Sequence, residues 1–435
     1  MTEEFPVASV VIPTYNRGNI LRRTLDALCA QTYPPERMEV LLVADGCTDD
    51  TLETVARYQA SFSLRIFEQS NKGPAVARNY GAAQTIGQLL IFLDDDIEAA
   101  PTLIESHVRA VYGRSGHVAI GYLPPVFQAP TDFFQKALRS WWEDLFFDMR
   151  QPGYRYSYRN LLSGNFSLER ELFGRVGGFD PAFRCHEDYE LGVRLIEAGA
   201  LFSFVPEALG YHHDTINLDR LLERKYEEGC ADVLIGRLHP KLRPVLSLSR
   251  FAATQSRSSL VLRNLAFAWP AAGPLVMACC RSTLRTFECA RMRSRWRGLF
   301  EALLDYSYWR GVADKFGKRR ALEDFLQEVP ARAEEPDAEI ELDLREGLTV
   351  AERRLNEEHP AGVRIRYGRE PVGRIPSQVG AEQLRGVHLR PKLATTLAWP
   401  LLRAIAMKSA TDGRTPLRPE LAGASTAMDY AHKSG

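Results

Sequence analysis

The chain has 435 residues, and its 55 Lys and Arg residues balance its 55 Asp and Glu residues. The length fits two or three domains, and the zero net charge gives no charge-based argument for a nucleic acid or acidic partner. Seven cysteines without a CxxC pair favour reduced thiols in a cytoplasmic protein over a disulfide framework or a zinc site. The first apolar run is too early and too short for a signal peptide, so we expect the chain to begin in the cytoplasm.

The first hundred residues alternate between short apolar runs and helical patterns. Continuously apolar runs, typical of parallel strands covered on both faces, occupy residues 7–12, 38–44 and 88–93. Helical patterns lie between and around them, at residues 20–30, 50–60 and 75–86. The alternation predicts a doubly wound α/β sheet, in which ligands bind beyond the carboxyl ends of the strands.

Polar motifs follow all three predicted strands. They read PTYNR (13–17), DGCTDD (45–50) and DDDIE (94–98). Neither GxxxxGK[ST] nor a GxGxxG after the first strand occurs, so the sequence does not predict a typical ATP or dinucleotide site.

Three consecutive carboxylates, Asp94, Asp95 and Asp96, repel one another unless a cation or strong donors compensate. If side chains alternate as in a strand, Asp94 and Asp96 point one way and Asp95 the other. Two carboxylates on one side suit Mg²⁺ or Mn²⁺, which takes its other ligands from water and phosphates. The alternative is a capping cluster for a helix that begins near Pro101.

Two motifs before the triplet have ambiguous roles. Asp45, at the tip of the second predicted strand, could accept an imide N–H from a base. Lys72 and Arg78 lie at a helix start, where anions are favoured, although surface cations are often without function.

Acidic residues and histidines follow later in the chain. Glu187 and Asp188 lie at the predicted start of a helix. They are either ordinary acids favoured there by the helix dipole, or one of them is a general base. His212 and His213 are structural, or one of them is a further metal ligand. The aromatic stretch 141–158 either covers an acceptor site or forms a packing helix followed by a loop.

Beyond residue 240 the sequence predicts structure more than function. Residues 265–280 are apolar, but two prolines and a glycine interrupt them, and six arginines follow between 281 and 297. This stretch is either a buried helical hairpin with a solvated basic neighbour or a segment lying on anionic lipid. A predicted linker at 329–338 precedes a small α+β domain, with strands in 339–348 and 362–376 and a helix near 381–407.

The order of the motifs resembles the family 2 glycosyltransferases of the GT-A fold over residues 6–230, about half of the chain. The motifs are VVIPTYNR, VADGCTDD, NKGPAVARNYGA, FLDDDIE, SGNFSLER, GGFDPAF, HEDYELGVRL and YHH. We therefore expect a GT-A domain, a Rossmann-like doubly wound mixed sheet, at 1–240. A helical extension at 241–328 and an accessory α+β domain at 339–435 would follow it.

The resemblance also implies roles for individual residues. Those implied to bind the nucleotide sugar are Pro13, Tyr15, Asn16, Arg17, Asp45, Lys72, Arg78, Asp94 and Asp95. Those implied to line the donor and acceptor pocket are Gly164, Asn165 and Glu187. Asp188 matches the catalytic base, and the implied ligands of Mn²⁺ or Mg²⁺ are Asp94, Asp96 and His212, with His213 as the alternative to His212.

The chain departs from the family pattern in two places. Ala44 and Cys47 replace the usual serines, which affects only minor hydrogen bonds. Asp95 stands where the family usually has an apolar or small residue, so the metal assignment within the triplet stays open. We expect a smaller loss from mutation of Asp95 than of its two neighbours.

These features predict an inverting glycosyltransferase that moves a sugar from a nucleotide diphosphate donor, UDP-linked, to a hydroxyl of a glycan, lipid or other acceptor. One alternative is a glycoside hydrolase with two carboxylates, which needs neither metal nor nucleotide. The other is a non-catalytic protein that binds sugar nucleotides or glycans. We expect no nucleic acid partner and a cytoplasmic location, at the inner face of the cell membrane if residues 265–297 contact it.

Overall fold

The computed structural model describes residues 6–126, 132–213, 216–252, 257–328 and 339–412. These residues divide into two compact units. The first holds the described residues up to Phe146 and from Tyr158 to Glu328, and the second holds Phe147–Ser157 and those from Glu339 onward. The predicted linker at 329–338 lies outside the described residues.

A mixed sheet, with eight strands in the part of the chain that is described, forms the centre of the first unit. The strands are β1 Ala8–Thr14, β2 Met38–Asp45, β3 Ser63–Gln69, β4 Leu89–Leu93, β5 Ile97–Ala99, β6 His117–Tyr122, β7 Asn165–Glu169 and β8 Leu201–His212. They lie in the order β3-β2-β1-β4-β7-β6-β8-β5. β1 pairs in parallel with β2 and β4, so the carboxyl ends of these three strands meet at one edge of the sheet. β7 runs antiparallel to β4 and brings residue 164 to the same edge.

The apolar runs form the buried middle of this sheet. Every residue of β2 and β4 is buried, which explains why these strands are continuously apolar instead of alternating. β3 lies at the sheet edge and is mostly half-buried, with Arg65 in its centre. A strand of this mixed composition gives no clear apolar run, and it was not predicted.

Helices cover the sheet and continue beyond it. Those that accompany the sheet are α1 Gly18–Cys29, α2 Thr51–Ala56, α3 Pro74–Ala83, α4 Leu103–Val111, α5 Phe133–Met149, α6 Arg170–Arg175, α7 Glu187–Glu197 and α8 Leu218–Leu238. The helical region that follows contains α9 Arg257–Ala268, α10 Gly273–Cys289, α11 Arg293–Phe316 and α12 Arg319–Gln327.

Two glycines let α8 and α11 pack closely. A Cβ on Gly229 would lie 2.1 Å from the carbonyl oxygen of Tyr308, and one on Gly311 would lie 2.0 Å from that of Tyr226. Any larger residue at either position would push the helices apart. Beside this contact, the buried ring of Trp309 packs in an apolar core that α8 and α11 share. The helical region is therefore fixed to α8 and belongs to the same compact unit as the sheet.

Membrane-spanning potential is limited to one stretch of the described residues. No single helix there is long and apolar enough to cross a membrane. Taken together, the segments Ser259–Ala268 and Pro270–Cys289 are long and apolar enough to cross a membrane. A bend of 119° separates them.

The second unit combines a three-stranded sheet with helices. Its elements are β9 Glu339–Asp343, α13 Leu348–Glu358, β10 Gly362–Tyr367, β11 Glu370–Ile375, α14 Leu389–Ala394 and α15 Ala398–Asp412. The strand order is β11-β10-β9. Arg155, in the segment Phe147–Ser157, donates hydrogen bonds to the backbone carbonyls of Ala361, Pro376 and Glu382 at 2.9, 3.0 and 2.7 Å. These bonds explain why this segment belongs to the second unit.

The predicted fold class is confirmed: a doubly wound α/β sheet of mixed direction, a helical region and a small α+β unit. The three apolar runs are β1, β2 and β4, and the helix predicted near Pro101 is α4. Two predictions for the second unit were wrong. The strand predicted in 339–348 ends at Asp343, because Leu348 already begins α13, and the helix predicted near 381–407 is divided into α14 and α15.

Candidate active site

The side chain of Asn16 ties the loop after β1 to the loop after β2. Its Oδ1 accepts hydrogen bonds from the backbone N–H groups of Thr48 and Asp49, at 2.7 and 3.3 Å. Asn16 has a φ of +54°, a left-handed conformation that asparagine tolerates better than most residues. Beside it, Pro13 is half-buried and the Tyr15 side chain is 51% exposed. The turn therefore offers an accessible aromatic ring at the sheet edge.

Asp45 ends β2 and anchors the loop before α3. Its Oδ1 accepts hydrogen bonds from the backbone N–H of Lys72 at 2.8 Å and the side-chain amide of Gln69 at 2.7 Å. Its Oδ2 accepts the N–H of Gly73 at 2.8 Å. The side chain of Lys72 is exposed. Oδ1 already accepts two hydrogen bonds, whereas Oδ2 accepts one and keeps a second lone pair. A contact between Asp45 and a base stays a prediction.

Arg78, on α3, bridges two carboxylates from distant parts of the chain. Its Nη2 lies 2.7 Å from Oδ1 of Asp94, and its Nη1 lies 2.8 Å from Oε1 of Glu187. The Arg78 side chain is only 4% exposed, and its guanidinium lies 5.6 Å from the ring centre of Phe179. Burial, together with neighbouring Asp188, raises the pKa of Glu187, and the charge of Arg78 opposes this rise. The guanidinium thus neutralises acids of the protein itself.

Backbone donors orient the carboxylate of Asp188 in the first turn of α7. Its Oδ2 accepts the N–H of Ser163 at 3.1 Å, and its Oδ1 accepts the N–H of Tyr189 at 2.9 Å. The carbonyl oxygen of the adjacent Gly164 accepts the N–H of Asp94 at 3.1 Å. A Cβ on Gly164 would lie 2.7 Å from Oδ2 of Asp94. Two consecutive residues before β7 therefore join the predicted base to the acidic triplet.

Asp96 and His212 form the part of the site best suited to a cation. Nε2 of His212 lies 3.4 Å from Oδ1 of Asp96, and this buried oxygen accepts no hydrogen bond from the described residues. Nη1 of Arg17 lies 3.5 Å from Oδ2. Burial raises the pKa of Asp96, but His212 and Arg17 outweigh burial and hold this pKa below its usual range. The ring of Trp142 packs edge-on against His212, with centroids 5.7 Å apart.

The residues that would hold a divalent cation are Asp96 and His212, where a buried oxygen faces a ring nitrogen. The predicted set of Asp94, Asp96 and His212 is not assembled, since the described residues contain no group of three His, Cys, Asp or Glu side chains placed to hold a metal. Asp94 is bound by the arginine, and Nε2 of His213 lies 2.7 Å from Oε2 of Glu98. The structure therefore favours His212 over His213. Few protein ligands are usual where Mg²⁺ or Mn²⁺ is also bound by substrate phosphates.

Asp95 anchors the acidic triplet to the protein. The hydroxyl of Thr14 donates to its Oδ2 at 2.7 Å, and the hydroxyl of Thr24 donates to its carbonyl oxygen at 2.7 Å. Burial and the charge of Asp96 raise the pKa of Asp95 to about 7. The predicted alternation of side chains assumed an extended strand, but β4 ends at Leu93. Each of the three carboxylates consequently has its own protein partner.

Asn165 was predicted to line the donor and acceptor pocket, yet its side chain is fully buried between protein partners. Its Oδ1 lies 2.7 Å from Nε2 of His107, and its Nδ2 donates to the carbonyl oxygen of Ala208 at 2.8 Å. Burial lowers the pKa of His107 to about 4. These contacts connect β7 with α4 and β8, which is a structural role.

Three contributors to the site were not predicted individually: Thr14, Ser163 and Trp142. Thr14 had a signal, because it is the polar residue at the end of β1, the strand beside β4 in the sheet. Ser163 acts through its backbone N–H, which every residue but proline carries, so its identity gives no signal. Trp142 lies in the aromatic stretch whose role was left open.

Comparisons with known proteins find matches in the first half of the chain. The model of the family described as "Glycosyl transferase family 2" matches residues 9–177. Over this stretch, which is less than half of the chain, the sequence is similar to glycosyl transferase family 2. A second model, described as "N-terminal domain of galactosyltransferase", matches residues 143–215. The two matches together cover the sheet and the acidic and histidine residues of the site.

The chain also has relatives among curated proteins. The chain is 33% identical over 276 residues to validoxylamine A glucosyltransferase of Streptomyces hygroscopicus subsp. limoneus, a match that covers 56% of this chain and 59% of that protein. It is 27% identical over 253 residues to glycosyltransferase AglE of Haloferax volcanii, covering 57% of this chain and 81% of that protein. The chain thus spans less than two thirds of the length of the Streptomyces relative.

Among solved structures, the chain is similar to the mannosyltransferase PcManGT from Pyrobaculum calidifontis, solved in complex with GDP-Man and Mn²⁺. The sequence identity is 18% and the TM-score is 0.47, over 69% of this chain and 86% of that chain. This likeness is too distant to assign ligands.

Proposed function

We propose that the protein is an inverting glycosyltransferase that moves a sugar from a nucleotide diphosphate donor, UDP-linked, to a hydroxyl of a glycan, lipid or other acceptor. One observation carries the proposal. The carboxylate of Asp188 and the Asp96–His212 pair belong to one network, joined through Ser163, Gly164 and the acidic triplet. A base for an acceptor hydroxyl and a binding point for a leaving diphosphate are the two groups that direct displacement requires.

Asp188 is the proposed general base. Inverting displacement attacks the sugar carbon from the face opposite the leaving group, and the attacking hydroxyl must lose its proton as the bond forms. The N–H groups of Ser163 and Tyr189 hold the carboxylate in one orientation. A carboxylate fixed in this way loses little entropy when it accepts the proton, which favours the transition state.

The proposed donor end of the site lies at Asp96, His212 and Arg17. A divalent cation held by Asp96 and His212 would stabilise the charge that develops on the departing diphosphate. Arg17, 3.5 Å from Asp96, adds a fixed positive charge beside the same position. The exposed ammonium group of Lys72 is free to reach a phosphate without breaking a described contact of its side chain.

Arg78 and Asp95 have supporting roles in this proposal. Arg78 joins α3, the acidic triplet and the first turn of α7 through buried ion pairs, so it sets the distance between the donor and acceptor ends. Asp95 holds the triplet to β1 and α1 through Thr14 and Thr24. Neither residue needs to touch the substrate to affect transfer.

The experiment that tests the proposal is a screen of the purified full chain against a panel of nucleotide sugars, with release of free nucleotide as the readout. UDP-glucose comes first in the panel, because the Streptomyces relative is named a glucosyltransferase. Acceptors are varied among simple glycosides, glycans and lipid-linked sugars. We expect release that depends on a UDP-sugar and on Mn²⁺ or Mg²⁺, and NMR of the product should show an inverted anomeric configuration.

The same materials separate the alternatives. Isothermal calorimetry with UDP and Mn²⁺ should detect metal-dependent nucleotide binding, which a glycoside hydrolase does not need. Binding without turnover for any donor and acceptor pair would support a non-catalytic sugar-nucleotide protein. A product with retained configuration would contradict the inverting mechanism even if transfer occurs.

A further inference from the structure

The bend between α9 and α10 carries large apolar side chains that no part of the described structure covers. Val261, Trp269 and Leu275 are 65%, 65% and 68% exposed. Single exposed apolar residues are ordinary in proteins. Here three of them, with Pro270 and Pro274 also exposed, fall within 15 residues around one bend. Such a concentration points to an apolar neighbour.

Helix α10 has an inner stripe that is apolar and buried and an outer stripe that is exposed. The inner stripe, which includes Met277 and Leu284, is buried in the core shared with α8 and α11. The opposite side, the outer stripe, is exposed, and helical spacing places Leu275, Cys279, Ser282 and Thr286 along it. The exposed Arg285 lies beside this stripe, near the end of the helix. Core packing explains the inner stripe only.

The charge around this outer stripe is strongly one-sided. Residues 259–297 contain seven arginines and one acidic residue, although the whole chain has a net charge of zero. Arg285, Arg291 and Arg295 are exposed, and within the described residues none of the three forms an ion pair with a carboxylate. Solvent-facing arginines of an ordinary surface more often alternate with acids.

We propose that this surface, defined by Val261, Trp269, Leu275 and the exposed Arg285, Arg291 and Arg295, lies on a membrane that contains anionic lipid. Apolar side chains beside unpaired cations match the two attractions of such a membrane, insertion among acyl chains and contact with anionic headgroups. Trp269 at the bend suits this boundary, since tryptophan favours the membrane–water interface. A nucleic acid partner would explain the cations without requiring the apolar bend.

The proposal concerns attachment and does not depend on the proposed transfer reaction. Its test is co-sedimentation of the full chain with vesicles of phosphatidylcholine alone or with 30% phosphatidylglycerol, at roughly 0.05 and 0.5 M salt. We expect binding to the anionic vesicles at low salt and weak binding to the neutral ones. High salt should reduce binding only in part, because the apolar contribution is not screened.

Variants locate the binding surface. Each arginine near an anionic surface contributes about a five-fold change in partitioning, so replacing three should lower it about 100-fold. The test variant is Arg285→Gln with Arg291→Gln and Arg295→Gln. The matched control is Arg23→Gln with Arg114→Gln and Arg320→Gln, three exposed arginines elsewhere that give the same change in net charge. A second variant, Trp269→Ser with Leu275→Ser, should lose most of the binding that survives high salt.

Equal loss in the control triple would show that net charge alone is responsible and would overturn the proposal. Absence of binding to anionic vesicles would do so as well. If light scattering instead shows concentration-dependent dimers that Trp269→Ser with Leu275→Ser abolishes, the bend contacts a second copy of the chain and the proposal is wrong. Thermal unfolding of each variant shows whether a loss of binding reflects loss of the fold.

Discussion

Replacement of Arg78 by methionine tests whether this side chain holds the two ends of the site together. Methionine keeps much of the volume and removes the charge. It leaves Glu187, whose side chain is 9% exposed, without the guanidinium that lies 2.8 Å away. Loss of one partner of a buried ion pair costs about 3–5 kcal/mol. Asp94 is 35% exposed, so water replaces part of its lost bond, and we expect about 3 kcal/mol.

The loss of unfolding free energy caused by Arg78→Met should increase with pH. Burial and Asp188 already raise the pKa of Glu187 in the folded protein, and loss of Arg78 raises it further. A carboxyl group with a raised folded-state pKa stabilises the fold at low pH, and this contribution is lost as the pH rises through that pKa. The free-energy difference between wild type and Arg78→Met should therefore be larger at pH 8 than at pH 5.

Urea unfolding followed by circular dichroism measures the effect as a shift of the transition midpoint. Arg109→Met is the control, because Arg109 forms an exposed pair with Glu105 and should cost at most about 0.5 kcal/mol. In a Glu187→Gln background, Arg78→Met should cost at least about 1 kcal/mol less. If Arg78→Met costs under about 1 kcal/mol and mainly weakens UDP binding, Arg78 contacts the nucleotide and the structural reasoning is wrong.

Three further predictions concern other parts of the first unit. His107→Gln should remove a pH dependence of stability, because burial lowers the pKa of His107 to about 4. Between pH 6.5 and 4 the free energy of unfolding of the wild type, measured with urea, should fall by about 3 kcal/mol relative to the variant. Gly164→Ala places a Cβ 2.7 Å from the Asp94 carboxylate and should lower the transfer rate at least several-fold, whereas Gly174→Ala, with nothing within 4 Å, should not. His212→Ala should weaken Mn²⁺-dependent UDP binding in calorimetry roughly ten- to hundred-fold, and His213→Ala much less. Equal effects of the two histidine variants would count against the Asp96–His212 pair as the cation site.

The sequence predicted those parts of the site that depend on neighbouring residues. The apolar runs before Asp45 and Asp94 gave β2 and β4, and the acids after them lie at one edge of the sheet because the strands are parallel. The first turn of α7, with Glu187 and Asp188, was predicted from its helical spacing and acidic start.

Other features depend on residues far apart in the chain, which spacing does not reveal. Arg78 meets Glu187 across 109 positions, and Asn165 meets His107 across 58. A single residue type carries no information about such partners. The side-chain alternation predicted for Asp94, Asp95 and Asp96 assumed a strand through the triplet, but β4 ends at Leu93, immediately before it.

The rate of sugar transfer by Asp188→Asn tests the central claim most directly. This change keeps the size of the side chain and the hydrogen bond that Oδ1 accepts from Tyr189. It replaces the basic Oδ2, which accepts the N–H of Ser163, by an NH2 group. With Asp324→Asn, an exposed residue of α12, as the matched control, we expect Asp188→Asn to bind UDP and Mn²⁺ like wild type and to transfer about 10²–10⁴-fold more slowly. Transfer within about three-fold of wild type would show that Asp188 is not the base and would contradict the proposed mechanism.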